Sequence, residues 1–253
     1  MSMKVYLSMK FDDIKTRFRN RKDQRARVDK DLPLNVRWGS RVEISEAPFL
    51  LREGYGFVPY PGPESLIGAF SRVDMAGLPT VRFYMKDREN PDSESMLLVA
   101  SSPDGGNTQD EIYLFREKEE IPMYYTRTDE APNEDAVENA VDFWIGKDEG
   151  IIGMPYFHSP DEVTYERLWE PDKDERIAGA KFTEDIKLDP YGAQSLQVEH
   201  MSTMLYARTF EGIGGEQDEY MLPTVEHDES GFRVRIWLGL PLSEADLGFP
   251  DAV

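Results

Sequence analysis

The segment TVRFYMK, residues 80–86, decides the fold class because two kinds of side chain alternate along it. Its odd-numbered residues are apolar and its even-numbered residues carry polar groups, as expected of a β-strand with two different faces. The segment ESLIGAFSRVD, residues 64–74, alternates similarly and leads into it through Ala76-Gly77. Two alternating runs joined by a short glycine turn predict a β-hairpin.

The same alternation recurs along most of the chain. Further predicted strands are SMLLVAS (95–101), EIYLF (111–115), VTYERLW (163–169), AKFTEDI (180–186), MSTMLYARTF (201–210), EYMLPTVE (219–226) and FRVRIWL (232–238). Short turns between such runs favour antiparallel meanders over parallel crossovers. We therefore predict a mainly β protein, a β-rich α+β fold of antiparallel sheets. Pro223 interrupts its run, so we expect it at an edge or a bulge.

One segment has a helical period instead. After the candidate N-cap Asn133, apolar residues recur at i, i+3, i+4 and i+7, namely at Val137, Ala140, Val141 and Trp144. Gly146 stands where a helix commonly ends. This pattern predicts a single surface helix at 134–145, within an acidic insert spanning 117–149.

The segments on either side of this insert are similar to one another. GAFSRVD, VRFYMK, MLLVAS and EIYLF correspond in order to AKFTEDI, LYARTF, EYMLPTVE and RVRIWL. We predict two loosely related halves, about 34–116 and 150–242, each with about four antiparallel strands. Chance similarity among amphipathic strands is an equally good explanation. The composition changes at Asp31-Leu32-Pro33, which predicts a tail of residues 1–30 and a body of residues 31–253.

The composition excludes several kinds of chemistry. The 253 residues include no cysteine, which excludes disulfides, thiolate zinc sites and cysteine nucleophiles. No phosphate-binding loop, nucleophile elbow, H-E-x-x-H or EF-hand pattern is present, so we expect no cofactor. Twenty-nine basic and 49 acidic residues give a net charge of −20, which disfavours nucleic acid as a partner. No apolar run is long enough for a membrane span or a signal peptide, so we expect a cytoplasmic protein.

The tail has the opposite charge to the body and an amphipathic pattern. Residues 1–30 hold ten basic and four acidic side chains. The residues that we expect to bind a partner are Leu7, Phe11, Ile14 and Phe18, which form a helical stripe, and Arg21, Lys22 and Arg25, which follow it. This spacing predicts that residues 3–27 become helical on binding an anionic membrane surface or a membrane-associated partner. A tail bound to its own acidic body, or a frayed tail, is the alternative.

Two weaker candidate sites remain. His200 and His227, with Glu199 or Glu226, could hold a divalent ion if the two halves pair, although isolated edge-strand histidines are more common. A ligand groove could combine aromatic and cationic side chains of two strands, namely Arg167, Trp169, Arg233, Arg235 and Trp237. Ordinary cross-strand packing explains the same residues.

The order of short motifs resembles that of the YjfK-like family of uncharacterised bacterial proteins, over roughly residues 32–242. The motifs are LPLNVRWGSRVEI, IGAFSRVD, VRFYM, DEIYLF, GIIGMPYF, YERLW, FTEDI, LYARTF and RVRIWLGLPL. The resemblance implies no activity and no functional residues. It implies a companion of phage-shock-protein-A-like membrane-stress proteins, encoded near small membrane proteins and an ATP-grasp ligase.

We therefore expect a non-enzymatic adaptor or accessory protein in the cytoplasm, in peripheral contact with the inner membrane. One alternative is an enzyme with a carboxylate or histidine–carboxylate metal site between the halves. Another is a small-molecule sensor that uses the arginine–tryptophan groove. A deep cleft in which histidines and acids converge would favour the enzyme, because fold alone does not assign an activity.

Overall fold

The computed structural model describes residues 26–75, 77–87, 94–100, 111–122, 134–147, 150–159, 161–228 and 231–250. The seven tail residues singled out above, from Leu7 to Arg25, lie outside these ranges. The described chain begins before the predicted boundary at residue 31. Asp29 is fully buried and accepts a hydrogen bond from the backbone N–H of Trp38, and the N–H of Val28 donates to the carbonyl of Pro190. Residues 28 and 29 therefore belong to the body.

The described residues form thirteen strands and two α-helices. The strands are β1 (Arg41–Ile44), β2 (Glu64–Met75), β3 (Leu78–Asp87), β4 (Glu94–Ala100), β5 (Glu111–Pro122), β6 (Tyr156–His158), β7 (Thr164–Arg167), β8 (Ala180–Lys187), β9 (Ser195–Thr203), β10 (Tyr206–Gly212), β11 (Gly215–Asp228), β12 (Gly231–Leu242) and β13 (Leu247–Gly248). The helices are α1 (Ala47–Leu50) and α2 (Glu134–Ile145), and short 3₁₀ turns lie at Pro33–Asn35 and Glu244–Asp246. The predicted mainly β class and the predicted helix at 134–145 are confirmed.

Eight of the strands close into one antiparallel barrel in the order β12-β5-β4-β3-β2-β8-β9-β11, and β11 pairs with β12 to complete it. The barrel takes β2 to β5 from the first predicted half and β8, β9, β11 and β12 from the second, which also contains β6, β7 and β10 outside the barrel. LYARTF, the predicted counterpart of VRFYMK, is β10, so this part of the predicted correspondence is wrong. The halves thus share a single barrel. β5 reaches Pro122 and pairs with β12, so the sheet extends six residues into the predicted insert.

The prediction of one continuous strand over MSTMLYARTF is wrong, because the chain changes its pairing partners in the middle of this segment. β9 ends at Thr203, and β10 begins at Tyr206 outside the barrel, where it pairs with β7 and β11. Pro223 lies at the same junction on β11, between Met221, which pairs with β10, and Thr224, which pairs with β9. A residue without an N–H fits there, because a strand that changes partners loses ladder hydrogen bonds in any case.

The apolar core has three parts. One cluster draws residues from all eight barrel strands and therefore fills the barrel interior. Gly239 lies in this layer, since a Cβ at that position would approach the ring of Phe115 to 2.5 Å. A second cluster covers the outer face of β2 to β5 and contains residues 32–60 and the C-terminal segment. The third covers the outer face of β11 and β12 with β6, β7, β10 and α2.

Three of the four residues in the predicted stripe of helix α2 pack against the core, and the side chain of the fourth, Val137, lies outside the described part of the structure. Ala140, Val141 and Trp144 contact the third cluster, whereas Phe143 is exposed. Burial of one face stabilises a helix that is too short to be stable alone. Among the described residues, none of the helices has the length and apolar character needed to cross a bilayer.

Candidate functional site

Charged side chains share the barrel interior with the apolar core. The interior charged cluster comprises Ser71, Arg82, Tyr84, Glu94, Glu117, Glu184, His200, Glu226, Asp228, Arg233 and Arg235. Period-two alternation places these groups inside. On β12, for example, Arg233 and Arg235 share a face with Trp237, which lies in the interior core. The side chains in this cluster are at most 11% exposed, so nearly every charge needs a partner.

Glu184 on β8 is the centre of the cluster. Its carboxylate accepts hydrogen bonds from the Ser71 hydroxyl, the Tyr84 hydroxyl at 2.6 Å, the Arg82 guanidinium at 3.0 Å and His200 Nε2 at 2.6 Å. Burial alone would raise the pKa of Glu184, but these charged and hydroxyl partners hold it well below its ordinary value. Burial and the neighbouring carboxylate raise the pKa of Tyr84 well above its ordinary value. Glu184 therefore stays ionised and Tyr84 stays protonated near neutral pH, an arrangement that suits structure better than proton transfer.

His200 lies between two carboxylates. Because a carboxylate is only an acceptor, the short contact with Glu184 places a proton on Nε2 of His200. Its Nδ1 is buried, makes no hydrogen bond within the described chain and lies 3.7 Å from Glu226 Oε1. Phe182 stacks on the imidazole with ring centroids 4.3 Å apart, and the guanidinium of Arg82 lies 5.1 Å from the same phenyl ring. Phe182 is half-buried, so it shields these polar groups from water.

Arg235 is the second centre of the cluster. Its guanidinium forms salt bridges with Glu117 at 2.9 Å and with Glu94, and it lies over the ring of Trp237 at 4.3 Å. Burial would lower the pKa of Arg235, but the two carboxylates raise it well above the ordinary value. The guanidinium is therefore a permanent cation that joins β4, β5 and β12.

Glu226 lies between the two centres, and, against the lowering effect of burial, its negative charge helps to raise the pKa of both Arg82 and Arg235. It accepts a hydrogen bond from Arg233 at 3.1 Å, and Arg233 also contacts Asp228 at 2.6 Å. Its other oxygen faces His200, as described above. The cluster is thus a polar network of three guanidinium groups, five carboxylates and one imidazole. Since its polar groups mostly bind one another, the network fixes the pairing of strands that are distant in sequence.

The two histidines proposed as metal ligands do not share a site. His227 follows Glu226, the residue that pairs with His200 across β9 and β11. His227 is 42% exposed at its side chain, stacks on Phe232 at 4.3 Å and lies 3.7 Å from Glu199. Successive residues of a strand point to opposite faces, so His227 points outward and His200 points inward. Within the described ranges, no group of three or more histidines and carboxylates has the arrangement that a metal ion needs.

The five residues of the predicted ligand groove are divided between two places. Arg233, Arg235 and Trp237 lie inside the barrel, as described above. Arg167 lies outside it and donates to the carbonyl groups of Gly153, Glu170, Lys173 and Glu175. It therefore fixes the loop that follows β7.

Trp169 is half-buried and packs against both the interior cluster and the third outer cluster. It lies just after β7, where it covers the space between the barrel and the elements outside it. The aromatic and cationic side chains of the predicted groove thus contact protein groups, and the structure does not bring all five to one surface.

Residues 15–248 match the sequence pattern of a family of proteins of unknown function, DUF2491. The chain belongs to the DUF2491 family. No curated protein and no solved structure matches it. The match covers every strand from β1 to β13.

The family match also includes part of the tail. Phe18, Arg21, Lys22 and Arg25 lie within the matched residues, whereas Leu7, Phe11 and Ile14 precede them. The barrel, its interior charged cluster and the basic end of the tail are therefore all within the DUF2491 region. The family description assigns no activity to any of them.

Proposed function

We propose that this DUF2491 protein is a non-enzymatic adaptor that acts at the cytoplasmic face of the inner membrane. As a YjfK-like protein, it would accompany a phage-shock-protein-A-like membrane-stress protein. The observation that carries the proposal is that the buried polar groups bind one another. Glu184 alone receives four donors, so this interior leaves little chemistry for a substrate. Recognition then falls to the outer surface and the tail.

The placement of the other candidate residues favours the adaptor over its alternatives. A histidine–carboxylate enzyme would need His200 and His227 in one cleft, and they face opposite sides of a sheet. A sensor would need an open groove at Arg235 and Trp237, and these side chains are buried against each other.

The tail supplies the means of attachment. Residues 1–25 contain eight basic and three acidic side chains, in contrast to the acidic body. Each lysine or arginine near an anionic membrane surface contributes about 1 kcal/mol of attraction, and the apolar stripe adds burial. The electrostatic attraction and the burial of the apolar stripe both favour binding to an anionic membrane that carries the partner protein.

The proposal is tested by removing residues 1–25 from the full chain. A longer deletion to residue 30 would remove Asp29, which is buried, and would damage the body. The truncated protein should keep nearly the same melting temperature and should lose co-sedimentation with vesicles of mixed phosphatidylglycerol and phosphatidylcholine. It should also lose capture of the phage-shock-protein-A-like partner from the native host.

A matched pair of variants separates tail charge from total charge. Changing Arg21, Lys22 and Arg25 to glutamine should weaken vesicle binding strongly, whereas changing three exposed lysines of the body, Lys147, Lys173 and Lys181, to glutamine should have little effect. If the truncated chain binds vesicles and partner as well as the full chain does, the proposed function is wrong.

A further inference from the structure

An exposed apolar patch lies between the end of α1 and the turn that joins β10 to β11. The apolar patch consists of Leu50, Leu51, Tyr55 and Ile213, whose exposure ranges from 40% to 59%. These residues are contiguous, because the N–H of Ile213 donates to the carbonyl of Leu51 at 2.8 Å. A Cβ on Gly214 would also lie 3.7 Å from the Leu51 side chain. Large exposed apolar residues in contact with one another are typical of a binding surface.

The apolar patch is held in place by buried polar contacts. Glu219, which is fully buried, accepts hydrogen bonds from the backbone N–H of Phe57 at 2.6 Å and from Arg208 at 2.9 Å. Arg208 also donates to the carbonyl of Tyr55 at 2.6 Å, and Arg52 donates to the carbonyl of Asp218. The segment that carries Leu51 and Tyr55 is thus fastened to β10 and β11. Its apolar side chains are displayed on a fixed surface.

The surroundings of the apolar patch are acidic. Glu211 and Glu216 are exposed and stand directly opposite each other next to the turn that carries Ile213. Like charges in this position are destabilising, and neither glutamate forms a salt bridge with any described residue. Glu53, between Leu51 and Tyr55, is also exposed. A partner for this surface must therefore be apolar and cationic, which excludes an anionic membrane as the occupant.

The chain itself contains a segment of this chemistry. Residues 3–18 combine the stripe of Leu7, Phe11, Ile14 and Phe18 with a net positive charge, from four basic and two acidic side chains, namely Lys4, Lys10, Lys15, Arg17, Asp12 and Asp13. We propose that residues 3–18 dock on the apolar patch of the same chain, with the stripe against Leu51 and Ile213 and the basic side chains near Glu211 and Glu216. The docking needs no membrane, so it does not depend on the proposed function.

The position of the described N-terminus makes this contact possible within one chain. Leu32 and Val36 pack in the same outer cluster as Phe49, the residue immediately before Leu50. The residues between Phe18 and residue 26 can extend about 28 Å, and a helix over residues 3–18 is about 24 Å long. A globular domain of this size has a radius of gyration of about 17 Å. The linker and a helical stripe together span about 52 Å, about three times this radius, so the tail is long enough to reach the apolar patch from residue 26.

Docking would also regulate the tail. The apolar stripe cannot bury itself against Leu51 and in a lipid surface at the same time, so the two binding events compete. By linkage, an anionic surface that binds the tail must weaken docking to the same degree that docking weakens membrane binding. Variants that destroy the apolar patch should then bind vesicles more tightly than the native chain does.

The experiment uses the full chain and exploits its lack of cysteine. Ser8→Cys provides a single attachment point for a nitroxide label beside the stripe, and paramagnetic broadening is measured on backbone amide signals. In the native chain, the amide signals of Leu51, Ile213 and Tyr55 should be broadened. When Leu51 and Ile213 are both changed to aspartate, the broadening at Tyr55 should disappear. The matched control is Phe143→Asp on α2, an equally exposed apolar residue, which should leave the broadening unchanged.

Three outcomes distinguish the possibilities. Absence of broadening overturns the proposal, and broadening that vanishes on dilution overturns it in favour of contact between two copies. Broadening that persists on dilution and is lost in the Leu51 and Ile213 variant supports docking within one chain.

A vesicle measurement then separates this inference from the proposed function. If the undocked fraction is about one tenth, the variant should reach half-maximal vesicle binding at about tenfold less lipid. Broadening without any vesicle binding would support docking and contradict the proposed function. Vesicle binding without broadening would support the proposed function and contradict docking.

Discussion

Replacing Glu184 with glutamine is expected to lower the free energy of unfolding by about 3–5 kcal/mol. The substitution preserves the shape of the side chain but removes the charge that faces Arg82. A guanidinium that is 3% exposed then has no carboxylate at 3.0 Å. The new amide nitrogen also meets groups that are themselves donors, among them the hydroxyls of Ser71 and Tyr84. At least one buried donor therefore loses its acceptor, which adds to the cost.

Urea unfolding followed by tryptophan fluorescence measures this change, and a thermal melt provides a second reading. For a chain of this length, 1 kcal/mol corresponds to about 2–4 °C, so the melting temperature should fall by about 6–20 °C. The matched control is Glu199→Gln on the adjacent strand β9, whose side chain is 62% exposed. It should stay within about 0.5 kcal/mol of the native protein. If the two variants differ by less than about 1 kcal/mol, the account of the cluster is refuted.

The same variant tests the pKa of Glu184. The carboxyl group has an ordinary pKa of 4.5 and a much lower one in the fold. Below about pH 4.5 the unfolded chain binds a proton that the folded chain does not, so the stability due to Glu184 is present above this pH and is lost as the pH falls. The difference in unfolding free energy between the native protein and Glu184→Gln should therefore shrink in acid. A constant difference from pH 7 down to pH 3 would contradict the assignment.

Three further perturbations follow from the structure. Gly239→Ala should cost about 1–3 kcal/mol in urea unfolding, because the added Cβ would meet the ring of Phe115 at 2.5 Å; an unchanged midpoint would contradict the packed interior. Trp144→Ala should destabilise the protein by about 2 kcal/mol more than Phe143→Ala, since only the tryptophan packs against the barrel; equal losses would show that α2 is oriented differently. Burial raises the pKa of Tyr206 to about 12. The neutral phenol therefore stabilises the fold below about pH 10, and this contribution is lost between about pH 10 and 12. The measurement is an ultraviolet titration of the native protein and of Tyr206→Phe, and a phenolate that forms near pH 10 and is absent from the variant would contradict this.

The parts of the fold that were predictable depend on local signals. The hairpin of β2 and β3 follows from alternation and a short turn within about 20 residues of sequence. Helix α2 begins and ends where its first-turn acids and Gly146 indicate, because capping and amphipathic period involve only near neighbours. Antiparallel pairing followed from the short connections between strands.

The first part of strand β9, residues 195–200, was missed for a physical reason. The inward face of β9 combines the apolar Leu196 and Val198 with the polar His200 and, after a bulge, Thr203, so half of that face does not look like core. The polar residues are accommodated because the barrel closes around them and supplies Glu184 as a partner for His200. Alternation of hydrophobicity cannot reveal a strand whose buried face carries satisfied polar groups.

The interior charged cluster was unpredictable because its contacts join distant segments. Alternation on β12 places Arg233 and Arg235 on one face with Trp237, and this face was predicted to line a ligand groove. In the barrel that face points inward, and Arg235 finds Glu117 at a sequence separation of 118 residues. A single sequence shows which residues share a strand face, but the closure of the sheet decides what covers that face. For the same reason the division of Arg167 from Arg235 could not be foreseen.

The burial of charge determines where the acidic excess of the protein acts. Among the described residues, buried side chains include seven carboxylates and six guanidinium groups, which nearly balance. The acidic excess of the described residues therefore lies almost entirely on groups that are not buried, where it attracts the basic tail over about one Debye length. The same attraction that favours docking beside Glu211 and Glu216 competes with an external anionic surface for the tail. Salt screens the electrostatic part of both contacts but not the burial of the apolar stripe. Added salt should therefore make the binding of the tail depend less on charge and more on its apolar contact with Leu51 and Ile213.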